Sequence, residues 1–202
     1  MDTARALRPA LFLDRDGVIN RDTGYVHRSD QVQFVDGVFD LARVAAHAGW
    51  PIVVVTNQAG IGRGLYSEEA FHALTAWIAE RFRDAGAPIA ATYWCPHHPT
   101  KGVGEYRREC GDRKPGPGLF LRAERELGVD MNRSWLVGDK DSDVLAGVAA
   151  GVGTNVFLEG AYAALALPPG TRRAARLVDV ADWLRAVTVP GTAVEEVAHA
   201  VA

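Results

Sequence analysis

The chain has 202 residues, 48% of them apolar and 23% charged, with a formal net charge of −3. That length suits one domain with a full core, and the slight acidity excludes the broad basic face that non-specific nucleic-acid binding needs. Two cysteines cannot make a disulfide framework in a chain of this size, and no apolar run reaches the length of a membrane span.

The N-terminus, MDTARALRPALFLDRDG, has a basic start but too few apolar residues for a secretory core. The expectation is a cytoplasmic, monomeric protein with reduced thiols and no membrane partner. PALFL, residues 9–13, predicts a buried strand ending on Asp14. Residues 37–49, GVFDLARVAAHAG, carry apolar residues at helical spacing and end on glycine, with Asp36 as the expected N-cap. PIVVVT, 51–56, is β-branched and predicts a second buried strand. Residues 67–86 predict an amphipathic helix capped by Ser67, with Glu68 and Glu69 in the first turn, where the helix dipole favours them.

IAATYW, 89–94, reads as a third strand. Beyond it follow a helix at 118–128, a strand at 134–138, a helix at 142–151 and a fifth strand at 154–159. Residues 160–175, with Pro-Pro-Gly, read as loop, and a last element covers 177–187. This alternation predicts an α/β fold, a Rossmann-like parallel sheet with helices on both faces. One domain is expected over 1–188, with a tail at 189–202.

In open α/β sheets, ligands bind beyond the carboxyl ends of the strands. The first strand ends in Asp14-Arg15-Asp16-Gly17, the second in Thr56-Asn57-Gln58, the fourth in Gly138-Asp139-Lys140-Asp141, and Lys114 comes from the loop before the fourth. Converging carboxylates are hard oxygen ligands that repel one another without a cation, which suits Mg²⁺. A phosphate would then meet the metal, Thr56, Asn57 and Lys114. One aspartate of the Asp14/Asp16 pair can attack phosphorus while the other moves protons. Each signal alone favours a cap or turn; their joint occurrence at strand ends favours chemistry.

At these residues the chain resembles a known family. FLDRDGVIN, VVVTNQAGIGRG, GDRKPGPG and LVGDKDSD look like the four motifs of the haloacid dehalogenase superfamily of phosphatases, over residues 10–158. DRDGVIN, GYVH, TNQAGIGRG and CPHHP look like its subgroup of heptose-1,7-bisphosphate and histidinol-phosphate phosphatases. The resemblance implies a Mg²⁺-dependent phosphatase acting on a sugar bisphosphate, without a separate cap domain. In it, Asp14 is the nucleophile, Asp16 the acid and base, and Thr56 and Lys114 hold the transferring group. Asp14, the Asp16 main-chain carbonyl and Asp139 hold magnesium. Asp22, Thr23, Gly24, Tyr25, Asn57, Gln58, Ala59, Arg113 and Lys140 contact substrate. The product would feed nucleotide-activated heptose for lipopolysaccharide or capsule; the alternative substrate is histidinol phosphate. Receiver domains use similar residues but place an acidic pair, not the phosphorylated aspartate, after the first strand. A non-catalytic binding protein on this fold fits poorly with Asp14 and Asp16 both in place.

Both cysteines lie in one polar loop, CPHHPTKGVGEYRRECGDRKPGPG, residues 95–118. Cys95, His97 and Cys110 are ligands of the kind zinc takes. The resemblance implies a second cysteine two positions after Cys110, where this chain has Asp112. Either Asp112 completes a structural zinc site through oxygen, or the metal is lost and Asp112 pairs with a cation such as Arg108. His98 reads as a spare ligand or a surface residue.

Overall fold

In the computed structural model, residues 7–160, 162–163 and 166–188 are described; the predicted tail from 189 lies outside them. β1 (Leu11–Leu13) follows the apolar start, and α1 (Val38–His47) packs behind it. β2 (Ile52–Asn57) leads into a single helical turn, α2 (Ala59–Gly62), and the long α3 (Glu68–Asp84). β3 (Ile89–Cys95) is followed by the polar loop and α4 (Gly118–Leu127). β4 (Trp135–Gly138), α5 (Asp141–Ala149), β5 (Thr154–Leu158), β6 (Arg172–Ala174) and α6 (Leu177–Thr188) complete the order.

Two local expectations change and one holds. Asp36 does not cap α1; Gly37 does, with φ +86° and no side-chain cap, because a left-handed residue brings the chain in from the preceding turn. Ser67 does cap α3, accepting from Ala70 N–H at 3.2 Å. The stretch read as loop up to residue 175 contains β6, a three-residue edge strand beside β5. Its residues are two arginines and an alanine, which carry no strand signal. Pairing with β5 places it there.

All strand pairs are parallel, in the order β3-β2-β1-β4-β5-β6. β1 is buried on both faces, so its run is continuously apolar rather than alternating. Leu11 and Leu13 face a core with Leu41, Leu74, Ile78 and Leu184, from α1, α3 and α6. Ala10 and Phe12 face the opposite core with Leu119, Phe120 and Ala146, from α4 and α5. Phe12 and Phe120 pack with ring centroids 5.1 Å apart. Truncating such a fully buried phenylalanine to alanine costs about 3–5 kcal/mol.

The strand order reverses between β1 and β4. Connections leave these neighbours in opposite directions, which opens a crevice at their carboxyl ends. Asp14 N–H donates to Val137 O at 3.1 Å there, so the first residue after β1 is held against β4. Among the described residues, no second sheet or helical bundle covers this edge.

Candidate active site

The chain after β1 turns back sharply, with Gly17 N–H donating to Asn20 O at 2.7 Å and Ile19 N–H to Arg15 O at 2.9 Å. Gly17 has φ +102°, and a Cβ on it would lie 1.8 Å from Asp139 Oδ2. Only glycine lets the loop after β1 approach the aspartate after β4 this closely.

Asp14, Asp139 and Asp143 offer carboxylate oxygens that all lie within 4.8 Å of one another, and all three residues are buried. Lys114 is buried among them. Its Nζ donates to Asp14 Oδ1 at 2.7 Å and to Val55 O at 2.8 Å, and lies 2.7 Å from Asp143 Oδ1. Asp143 is four residues beyond Asp139, on the first turn of α5. Its Oδ2 accepts from Lys140 N–H at 3.0 Å, so it closes the helix start and reaches Lys114 at once.

Both oxygens of Asp139 are buried without a hydrogen-bond partner, and its nearest cation, Lys140 Nζ, stands 3.8 Å from Oδ1. Burial, reinforced by Asp14 and Asp143, pushes the Asp139 carboxyl up to about 8. Burial also raises Asp14, against the pull of Lys114. Three carboxylates against one fully buried ammonium leave a deficit of positive charge, and the orphaned oxygens are hard donors. The set fits a divalent cation of the Mg²⁺ type.

Asp16 sits beside this cluster in a different setting. Arg15 NH2 donates to both its oxygens, at 2.9 and 2.8 Å; Asn20 Nδ2 donates at 3.1 Å and Gln58 Nε2 at 3.0 Å. Gln58 Nε2 also donates to Thr56 Oγ1 at 2.9 Å, and Tyr66 O–H donates to Gln58 Oε1 at 2.6 Å. The amide thus ties the ends of β1 and β2 together. Burial pushes the Tyr66 hydroxyl up to about 12, so it stays a donor.

Asn57 uses its side chain on Lys114, donating to Lys114 O at 3.0 Å and accepting from Lys114 N–H at 3.1 Å. A loop residue is thereby held to the sheet with its ammonium aimed at Asp14. Asp22 lies on the far side, accepting from Lys140 Nζ at 3.1 Å, Tyr162 O–H at 2.8 Å and Gly24 N–H at 3.1 Å. Burial works to raise it, but these three donors hold it below the usual carboxylate range. Tyr25, at φ +52°, accepts a short hydrogen bond from Arg63.

A pocket of about 280 Å³ opens among them. Of the residues singled out in the sequence, Asp14, Asp16, Asp22, Gly24, Tyr25, Asn57, Gln58, Ala59, Lys114 and Lys140 line it. Thr56 is buried just beneath, and Asp139 and Thr23 line a neighbouring groove behind Gly17. Arg113 does not line the pocket; its NH1 donates to His97 O at 3.0 Å. Sequence reasoning missed Asp143, Tyr66 and Tyr162. Asp143 had a signal in its spacing of four from Asp139, which puts both at one helix start. The tyrosines had none.

In the polar loop, Cys95, His97 and Cys110 bring ligand atoms within 4.8 Å of one another, and both thiols are free. Cys95 Sγ and His97 Nδ1 are 3.6 Å apart. Bonds of about 2.3 Å to sulfur and 2.0–2.1 Å to nitrogen at a tetrahedral angle span about 3.5 Å, so this edge fits zinc. Asp112 stands apart from the trio, with Oδ2 3.6 Å from Arg122, not Arg108.

A profile of the HAD-hydrolase-like family matches residues 111–184. A D-glycero-alpha-D-manno-heptose-1,7-bisphosphate 7-phosphatase of Burkholderia mallei is 52% identical over 149 residues, covering 74% of this chain and 79% of its own. A D-glycero-beta-D-manno-heptose-1,7-bisphosphate 7-phosphatase of Vibrio cholerae is 50% identical over 151 residues, covering 75% and 81%. Among solved structures, the D,D-heptose 1,7-bisphosphate phosphatase of B. bronchiseptica, complexed with magnesium and phosphate, superposes with a TM-score of 0.75 at 29% identity. That match covers 87% of this chain and 97% of the other.

Proposed function

The chain belongs to the haloacid dehalogenase-like phosphatases, in their heptose-bisphosphate phosphatase subgroup, and from that premise we propose that it removes the 7-phosphate of D-glycero-D-manno-heptose 1,7-bisphosphate in a Mg²⁺-dependent reaction. The observation that carries this reading is the Asp14–Lys114 pair beside the partnerless carboxylate of Asp139. Asp14, Asp139 and the Asp16 main-chain carbonyl would hold the ion, with Asp143 near enough to join them. When bound, it supplies charge neutralisation at the phosphoryl oxygens.

Among the described residues only Oδ1 of Asp14 is hydrogen-bonded, which leaves Oδ2 free to attack. Asp14 Oδ2 forms a bond to phosphorus as the ester P–O bond breaks. Lys114 and Thr56 stabilise the equatorial oxygens. Asp16, entering as the acid, gives its proton to the departing sugar oxygen. As carboxylate it then takes a proton from water, whose oxygen attacks phosphorus and frees Asp14 and phosphate. Arg15, Asn20 and Gln58 hold Asp16 in reach of both events.

Arg113 lies next to Lys114 and turns away from the scissile group, so we assign it the distal end of the substrate, through a guanidinium suited to phosphate. The loop of Cys95, His97 and Cys110 holds a structural zinc that fixes the approach of Arg113 and Lys114 to the pocket. The free thiols of this trio fit a reducing compartment such as the cytoplasm. The product would enter activated-heptose synthesis for lipopolysaccharide or capsule.

Phosphate release measured with Mg²⁺ across heptose 1,7-bisphosphate and histidinol phosphate tests the assignment. The bisphosphate is expected to have the higher kcat/KM. A higher value for histidinol phosphate would move the chain to the other branch of the subgroup. Metal analysis of protein purified without chelators is expected to find about one zinc per chain.

A further inference from the structure

The three ligand atoms of Cys95, His97 and Cys110 are joined by no carboxylate among the described residues. Asp112 faces Arg122, whose Nε lies 3.8 Å from Glu126 and whose guanidinium stacks 5.3 Å from the Tyr93 ring. A cation fixed on α4 thus competes for the Asp112 carboxylate. His98 is turned away as well, its Nδ1 facing the N–H groups of Thr100 at 3.3 Å and Lys101 at 3.1 Å. Against Cys95 and His97 opens a cavity of about 540 Å³, walled by Glu68, Glu105, Tyr106 and Asp112. That is room for many waters at about 30 Å³ each.

A zinc site with four protein ligands is closed; one with three keeps a position for water or another donor. We propose that the loop metal is held by Cys95, His97 and Cys110 alone, and that its fourth position faces this cavity and exchanges with solution. The proposal rests on the zinc reading above and not on the choice of substrate. Two thiolates already neutralise the ion, and the cavity walls are acidic. The incoming donor is therefore neutral: water, or a small nitrogen base such as imidazole, whose N–H a wall carboxylate accepts.

The Asp112–Arg122 pair is partly exposed and contributes little to stability, so Asp112 can be changed without breaking the fold. The full chain, stripped and reloaded with Co²⁺, is titrated with imidazole while its visible spectrum is recorded. A thiolate-to-cobalt charge-transfer band marks cobalt at the cysteines rather than at the aspartates. A saturable shift of the d–d bands is expected. Asp112→Ala should keep one cobalt per chain and the same shift. Asp112→Cys should abolish the shift and slow loss of cobalt to a chelator severalfold. Cobalt bound at the cysteines with no response to imidazole overturns the open position, as does loss of cobalt in a folded Asp112→Ala. If cobalt never binds the cysteines, the zinc reading falls and the proposal with it, whatever the phosphatase assay gives.

Discussion

The ammonium of Lys114 lies 2.7 Å from Asp14 Oδ1, both groups buried, although 100 residues separate them in the chain. The contact orients the carboxylate and supplies positive charge at the point of attack. Asp14→Asn keeps the size and most of the hydrogen bonding but removes the nucleophile. We expect no turnover and a near-native thermal transition. Asp16→Asn should cost about 10²–10⁴-fold in kcat, the usual contribution of an acid–base group. Near wild-type kcat in Asp14→Asn would eliminate the covalent route.

Lys114→Ala should lower kcat on every substrate, aryl phosphates included, because it acts on the transferring group. It also leaves Asp14 and Asp143 buried without their ammonium, a change that typically costs about 3–5 kcal/mol. Protonation of those carboxylates relieves the loss, so metal-free Lys114→Ala should be less destabilised at acid than at neutral pH. Asn57→Ala should mimic the kcat defect in milder form, since Asn57 holds the Lys114 backbone. An Asn57→Ala enzyme with raised KM and intact kcat would instead make Asn57 a substrate contact.

Arg113→Ala should lower kcat/KM for the sugar bisphosphate by about 1.5–3 kcal/mol, the worth of a hydrogen bond to a charged group. An aryl phosphate has no distal phosphate and should be turned over almost as before. Equal losses on both substrates would reduce Arg113 to its hydrogen bond with the His97 carbonyl.

Asp139 contributes to the pH dependence of the metal-free protein. Its carboxyl titrates at about 8 in the fold against an ordinary 3.8. Between those values the folded state holds a proton that the unfolded chain has lost, so this group's stabilisation is complete below the ordinary value and disappears as pH rises through 8. The melting temperature of metal-free protein should therefore fall over that window, more steeply than that of Asp139→Asn. Magnesium competes with the same proton, so its affinity should rise with pH up to about 8. Parallel melting curves for the two proteins would show that Asp139 is already ionised.

Gly17→Ala places a methyl where Asp139 Oδ2 now lies, at a left-handed φ. The backbone strain alone costs roughly 1–2 kcal/mol, and the carboxylate must move away. We expect a folded, less stable protein with severely weakened magnesium dependence. Retained activity at ordinary Mg²⁺ concentrations would mean the loop can shift without loss.

The runs PALFL, PIVVVT and SWLVG, with the helical patterns between them, were sufficient for the parallel sheet. Strand ends then pointed to Asp14, Asp16, Thr56 and Asp139, because in this architecture the carboxyl edge is where loops from different strands converge. These are local signals: backbone preference and side-chain periodicity are set within a few residues. Which distant residues meet is decided by strand order. Only the placement of β1 beside β4 brings Gly17 against Asp139, and only the return of the polar loop to β2 puts Lys114 between Asp14 and Asp143. Asp143, whose local role is to accept from Lys140 N–H at the start of α5, therefore carries no separate sign of its contact with Lys114, and β6 reads as loop because pairing with β5, not its composition, makes it a strand. In the cysteine loop, Asp112 can serve a metal or a cation, and α4 presents Arg122 to it at 3.6 Å. A carboxylate's partner depends on which cation the packing brings near, and that is a property of the assembled helices and sheet.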